Sequence, residues 1–213
     1  MFSSCLSINE EGHLAISGYD TVELEKQYGT PLYVMSEEEI RSVCRRYVSS
    51  FQTCYQGNGK PIYASKAFCC KEICRIVLSE GLDLEVVSGG ELYTALQAGV
   101  PAEQIHFQGN NKTISELTLA VENGVGDIVA DSISELYKLQ KIAGQQGKTV
   151  SVSLRIKPGI DAHTHEFIRT GQIDSKFGID LSSGEALEAV KLASQMDHIV
   201  LRGVHCHIGS QIF

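Results

Sequence analysis

Residues 127–156 read DIVADSISELYKLQKIAGQQGKTVSVSLRI and contain a strand, a helix and a second strand in order. The short apolar runs DIVAD and VSVSLRI stand at the two ends. Between them, apolar residues recur at helical spacing and stop near a glycine, and Ser132 with Glu135 matches the spacing of a capping box. Two short buried strands joined by a crossover helix are typical of a parallel sheet, which we predict here.

The same strand-helix unit recurs before and after residues 127–156. Four more short apolar runs are rich in β-branched or aromatic residues: PIYAS from Pro61, LEVVS from Leu84, IHFQG from Ile105 and IVLRGVHCHIG from Ile199. The first five of the six runs begin about 22 residues apart. Capping-box spacing also recurs, at Ser36 with Glu39, Ser88 with Glu91, Thr113 with Glu116 and Ser182 with Glu185. We therefore predict six parallel strands that alternate with helices.

Polar residues and glycine follow almost every one of these runs, in SKAF, VSGGE, QGNNK, ADS, RIKPG and HIGSQ. In a (β/α)8 barrel the carboxyl ends of the strands build the active site, so polar residues are expected there. No G-x-G-x-x-G sequence follows the first run, which argues against a dinucleotide-binding sheet. We predict an α/β protein with an incomplete TIM-type barrel of about six of the eight βα units. Because an unclosed barrel exposes two sheet edges, we expect the chain to be part of a longer protein.

The composition argues against several classes of protein. A formal net charge of −8 argues against nucleic-acid binding, which requires a basic surface. No apolar run of about 18 residues is present, so no membrane span is expected. Seven cysteines without regular spacing favour reduced thiols, so we predict a cytoplasmic protein. Cys69, Cys70 and Cys74 could suggest a metal site, but no second cluster completes four ligands, and buried thiols are the simpler interpretation.

Lys66 directly follows the strand PIYAS and is the first candidate functional residue. We expect it at the mouth of the barrel, with its ammonium group in a partly dry pocket. Desolvation there would lower the pKa of the lysine and make its neutral amine available for a Schiff base. Ser88 belongs to a tight strand-to-helix turn near the same edge. Arg155, at the end of the fifth strand, is the arginine best placed in the mouth, although an ion pair with an acid such as Glu85 would also explain it.

His205 and His207 stand at the end of the sixth strand, and alternation sends both side chains to one face. Three interpretations remain open: a satisfied interior histidine, an imidazole stacked on a ligand ring with Ser210 beside a phosphate, or a metal site. A second H-x-H pair, His163 and His165, favours the metal, since two such pairs with a strand-end aspartate suit a metal-dependent hydrolase. This second pair lies in the long segment 159–180, which we expect to face substrate or an interface.

Five motifs together resemble the diaminopimelate decarboxylase family. In chain order they are YASKAF at 63–68, EVVSGGEL at 85–92, QGNNK at 108–112, RIKPGIDAHTHEFIRTGQIDSKFGI at 155–179 and HCHIGSQI at 205–212, so the resemblance covers about 150 residues. The wider group has an alanine-racemase-type barrel and includes ornithine, arginine and carboxynorspermidine decarboxylases. The stretch DAHTHE…TG…DSKFGI is much more specific than a likeness of fold.

The resemblance implies a pyridoxal 5'-phosphate cofactor held by Lys66. It implies that His207 stacks on the cofactor ring, that Ser210 lies near the phosphate, and that the remaining site residues are Glu85, Ser88 and Arg155. The family usually has aspartate where this chain has Glu85.

The implied activity is decarboxylation of meso-2,6-diaminopimelate to L-lysine and CO2, with a related amino-acid decarboxylase or racemase as the alternative. The resemblance further implies that residues 1–32 belong to a second, β-rich domain and 33–213 to the barrel, and that the full-length enzyme is a homodimer. The remaining half would bring a glycine-rich phosphate loop, an acid for the pyridine nitrogen and residues that bind the substrate. We therefore expect the 213-residue chain alone to be inactive.

Overall fold

Six strands lie side by side and parallel in the computed structural model, which describes residues 5–159 and 176–209. They are β4 (Ile62–Ala64), β5 (Asp83–Val86), β6 (Ile105–Phe107), β7 (Asp127–Ala130), β8 (Val150–Lys157) and β10 (Ile199–His205), and the short β9 (Ile179–Asp180) pairs with β8. The order β4-β5-β6-β7-β8-β10 places each of the six beside the next along the chain. All six predicted strands are therefore confirmed, and the carboxyl ends of all six share one edge.

The described residues divide into two compact units. The first holds the residues up to Pro61 together with Ile76–Leu82, and the second holds Ile62–Arg75 and the residues from Asp83 onward. The first unit contains an antiparallel sheet and two helices: β1 (Leu6–Ile8), β2 (Leu14–Ile16), β3 (Tyr19–Asp20), α1 (Thr21–Tyr28) and α2 (Glu37–Cys54). The parallel sheet belongs entirely to the second unit.

Helices connect most of the parallel strands: α3 (Lys71–Ser79), α4 (Gly89–Ala98), α5 (Ile114–Asn123), α6 (Ile133–Gln145) and α7 (Glu185–Ala193). Four of the five predicted capping serines and threonines accept the expected backbone N–H at the helix start, those of α2, α4, α5 and α6. The fifth prediction was wrong, since α7 begins after Gly184 without a side-chain cap. The hydroxyl and amide of Ser182 instead donate to Asp180, whose carboxylate at the end of β9 offers a nearer acceptor.

Apolar strand residues form much of the core of the second unit, and along β5 and β6 they alternate with half-buried polar residues. Leu84, Ile105, Phe107, Ile128 and Leu154 are at most 1% exposed. Among the described residues, β4 and β10 each have a neighbouring strand on one side only, so the sheet is not closed into a barrel. None of the described helices is long and apolar enough to cross a membrane.

Candidate functional site

The carboxyl ends of the six parallel strands carry most of the predicted functional residues. In strand order these ends present Lys66, Glu85, Gln108, Asp131, Arg155 and the pair His205 and His207. Because neighbouring strands end at the same edge, side chains that are far apart in sequence come within interaction distance there.

Lys66 lies in a single 3-10 turn, Ser65–Ala67, that directly follows β4. The turn is held by Ser65, which is buried and donates its hydroxyl to Oε2 of Glu91 at 2.8 Å. Lys66 itself is exposed, so the prediction of a partly dry pocket around its ammonium group was wrong. The reason lies in the sheet, since among the described residues β4 has a neighbouring strand on one side only, β5.

Ser88 caps α4, and its hydroxyl accepts the N–H of Glu91 at 3.2 Å. The same Glu91 accepts the N–H of Val87 through Oε2 at 2.7 Å. Next to the cap, the N–H of Gly89 donates to Glu116 at 2.7 Å, and a Cβ at this glycine would lie 2.9 Å from Cγ of Glu116. The strand-to-helix turn is therefore as tight as the sequence predicts.

Glu85 is half-buried at the end of β5, and burial raises the pKa of its carboxyl group while the charge of Lys66 acts in the opposite direction. Its Oε2 accepts a hydrogen bond from Nε2 of Gln108 at 2.8 Å. The same amide nitrogen lies 2.8 Å from Nε2 of His205. Gln108 thus joins two predicted parts of the site, although the sequence reasoning did not single it out. Its position directly after β6 is the signal that could have found it.

His205 and His207 are both half-buried, whereas Cys206 between them is exposed, in keeping with the predicted alternation. Burial lowers the pKa of His205 to about 4, with further contributions from the charges of Arg155 and His207. Burial also lowers the pKa of His207, followed by the charges of Lys66 and Arg155. Both imidazoles are therefore expected to be neutral at neutral pH and to face the cationic groups of this edge.

Arg155 is 5% exposed, and its nearest carboxylate is Asp131 at the end of β7, with 3.6 Å between Nη1 and Oδ1. Its guanidinium carbon lies 4.4 Å from the centre of the Phe177 ring. The suggested ion pair with Glu85 is therefore replaced by one with Asp131, because β7 adjoins β8 whereas β5 lies two strands further away. Burial lowers the pKa of Arg155, and the charges of both acids oppose this effect.

A second buried ion pair supports this edge and was not predicted. Nζ of Lys112, in the loop after β6, lies 2.8 Å from Oε1 of Glu135 in the first turn of α6. The same amine donates to the carbonyl oxygens of Gly109 and Val129 at 2.7 and 2.8 Å. Lys112 and Glu135 are each 4% exposed. The pair therefore locks the loop after β6 onto β7 and α6.

Ser210, His163 and His165 lie outside the described residues. Within the described ranges, a single group of three candidate metal ligands occurs, Glu11 with His13 and Asp20, and it belongs to the first unit. Burial raises the pKa of Cys74 to about 12 and also raises the pKa of Cys69, which disfavours the thiolate at these two positions.

The site thus combines a primary amine, an imidazole pair, a buried guanidinium and a carboxylate whose pKa is raised. The amine and the polar groups around it fit an aldehyde cofactor, which needs one amine and several polar contacts.

Comparison with known proteins agrees with this chemistry, because residues 37–213 match the family of pyridoxal-dependent decarboxylases over the part described as their pyridoxal binding domain. The chain belongs to the pyridoxal-dependent decarboxylases. This family match confirms the predicted fold class, which is an incomplete α/β barrel, and it confirms the predicted cofactor.

Diaminopimelate decarboxylases are prominent among the relatives within this decarboxylase family. That of Halalkalibacterium halodurans is 51% identical over 213 residues, which is 100% of this chain and 48% of the relative. That of Bacillus methanolicus is 47% identical over 212 residues, 100% of this chain and 49% of the relative. The crystal structure of the M. jannaschii enzyme with L-lysine is 42% identical and superposes with a TM-score of 0.88 over 98% of this chain and 48% of that one. The chain therefore spans about half the length of these relatives.

Proposed function

We propose that the protein to which this chain belongs decarboxylates meso-2,6-diaminopimelate to L-lysine and CO2. The relatives that are 47–51% identical to the chain are named diaminopimelate decarboxylases. Solved relatives from M. jannaschii and Helicobacter pylori are complexes with L-lysine. The observation that carries the proposal is the placement of Lys66 directly after β4, at the carboxyl edge of the sheet where Glu85 and His207 also lie.

In this proposal Lys66 binds pyridoxal phosphate covalently through its amine. The cofactor, when bound, supplies an electron sink for the electrons left by the departing carboxylate. Lys66 is an exposed amine of the site, and its charge acts on the half-buried acid Glu85. His207 offers a neutral, flat imidazole to the cofactor ring.

The remaining site residues would supply positive charge and fix the backbone conformation at the same edge of the sheet. Arg155 is a fixed cation, because Asp131 and the Phe177 ring hold its guanidinium group. Ser88 keeps the turn after β5 in place through its cap on α4. For Ser210 we propose a contact to the cofactor phosphate, on the basis of the motif resemblance alone.

We also propose the wider organisation that the resemblance implies. Residues 1–32 would belong to a second, β-rich domain, which the antiparallel sheet of β1, β2 and β3 supports. The substrate would be an amino acid, the full-length protein a homodimer, and its location the cytoplasm, in keeping with seven cysteines that show no regular spacing.

The decisive experiment combines covalent trapping with an assay of CO2 release. The protein is incubated with pyridoxal phosphate and borohydride, and peptide mass spectrometry then locates the reduced adduct, which we expect on Lys66. Lys66→Ala should lose both the adduct and turnover of the full-length enzyme. Lys71→Ala, at the exposed start of α3, is the matched control and should retain both.

The substrate is tested on the same preparations. Release of CO2 from meso-2,6-diaminopimelate, but not from ornithine or arginine, is the expected result. An adduct on another lysine would contradict the role of Lys66, and preferential turnover of ornithine or arginine would contradict the substrate.

A further inference from the structure

The Gln108 side chain bridges two parts of the site that come from different strands. Its Nε2 donates to Oε2 of Glu85 on β5 and lies 2.8 Å from Nε2 of His205 on β10. Gln108 is 8% exposed, so solvent does not compete freely for these contacts. A carboxamide nitrogen carries two hydrogen atoms, and it can therefore donate to both neighbours at once.

This geometry determines where His205 carries its proton. Because the Gln108 nitrogen is a donor only, Nε2 of His205 must be the acceptor and must be unprotonated. The neutral ring then carries its proton on Nδ1, an atom that is buried and has no hydrogen-bond partner among residues 5–159 and 176–209. A protonated imidazole would have no acceptor at Nε2 and would face the amide hydrogen directly.

The charges around His205 also favour the neutral form of its ring. The cations that face it are Arg155 from β8 and, when protonated, His207 beyond the end of its own strand, and both disfavour a second positive charge. Asp127 from β7 acts in the opposite sense, but burial of the ring has the largest effect. Replacing the Gln108 amide by a carboxylate would add an acceptor at Nε2 and reverse this preference.

We propose that Gln108 is a positioning residue that fixes the Glu85 carboxylate at the carboxyl edge of the sheet and keeps His205 in its Nδ1–H form. This role deepens the proposed function, on which it rests, since the charge of Lys66 acts on Glu85. One amide thus sets the geometry of an acid and the tautomer of a histidine, so that positive charge at this edge comes from Lys66 and Arg155 rather than from His205.

The test uses nitrogen-15 NMR of protein labelled at histidine, which reports the tautomer and titration midpoint of each ring without cofactor or turnover. The unaltered protein should show His205 as the Nδ1–H tautomer. In Gln108→Glu the carboxylate can accept a hydrogen bond from an Nε2–H group, so the ring should change to the protonated or Nε2–H form and its midpoint should rise by at least about one pH unit. In Gln108→Met, which has no donor, the tautomers should mix.

His198 is the internal control, because its Nδ1 lies 2.9 Å from the carbonyl oxygen of Lys148 at the opposite end of β10, and its signals should stay unchanged. The proposal is overturned if His205 of the unaltered protein is the Nε2–H tautomer, or if Gln108→Glu leaves its midpoint unchanged while the protein remains folded by circular dichroism. If Gln108→Glu does not fold, Gln108→Met takes its place. In that variant, the same single His205 tautomer as in the unaltered protein would also contradict the proposal.

The positioning of Glu85 is tested by the rate at which Lys66 forms its borohydride-trapped adduct with pyridoxal phosphate as a function of pH. We expect Gln108→Glu to shift the pH profile of this rate, since a second carboxylate beside Glu85 disfavours ionisation of both. An unshifted profile would count against this half of the proposal. If no adduct forms at Lys66 in the unaltered protein, the proposed function fails, whereas the NMR result on His205 still decides the hydrogen bond.

Discussion

Replacing Lys112 by methionine should destabilise the protein by about 3–5 kcal/mol, the usual cost of removing one partner of a buried ion pair. The side chains of Lys112 and Glu135 are only 1% and 6% exposed, and their charged atoms lie 2.8 Å apart. Methionine fills a similar volume but donates no hydrogen bond. The Glu135 carboxylate would therefore remain buried without a counter-charge, and the carbonyl oxygens of Gly109 and Val129 would each lose a donor.

The burial of the pair decides the magnitude, because an exposed ion pair would contribute at most about 1 kcal/mol. The expected loss is a large part of a typical domain stability of about 5–15 kcal/mol. Burial already raises the pKa of Glu135. Without Lys112 this folded-state pKa should lie further above its unfolded value, so protonation would favour the folded variant at low pH. The loss should therefore shrink as the pH falls from about 8 to about 5.5.

Urea unfolding followed by circular dichroism measures the free energy of unfolding at both pH values. Lys138→Met, on the exposed face of α6, is the control and should lie within about 0.5 kcal/mol of the unaltered protein. The double variant Lys112→Met with Glu135→Leu should recover much of the loss, since it leaves no unpaired charge. A loss below about 1 kcal/mol in the single variant, or a double variant less stable than the single one, would refute the reasoning.

Two further predictions concern stability in each unit. Gly126→Ala should cost about 3 kcal/mol in urea unfolding, because a methyl group would collide with the carbonyl group of Glu103. Gly203→Ala, which meets nothing within 4 Å, should cost far less, and equal losses would contradict this account. Hydrogen bonds from Arg45 and a second arginine lower the pKa of Glu80 from 4.5 to about 2. The stabilising contribution of Glu80 should be complete above about pH 4.5 and disappear as the pH falls toward 2. The stability of Glu80→Gln should therefore fall less steeply with pH in this window than that of the unaltered protein. Identical profiles for the two proteins would contradict this prediction.

The sequence was sufficient for the features that depend on neighbouring residues. Apolar runs and their spacing predicted all six parallel strands, since burial on both faces demands continuous apolar residues. Ser88 and Thr113 were recognised as helix caps because the contact spans only three residues. Where a competing local acceptor existed, at Asp180, the same rule failed for Ser182. The order of the motifs along the chain also predicts the decarboxylase family.

Only the tertiary structure decided which side chains meet at the carboxyl edge of the sheet. Arg155 pairs with Asp131 rather than Glu85 because strand order, not sequence distance, sets neighbours. Gln108 reaches His205 across 97 positions of the chain. No local pattern encodes such a contact, because it depends on how parallel strands bring their ends to one edge and on which rotamers the packed core allows.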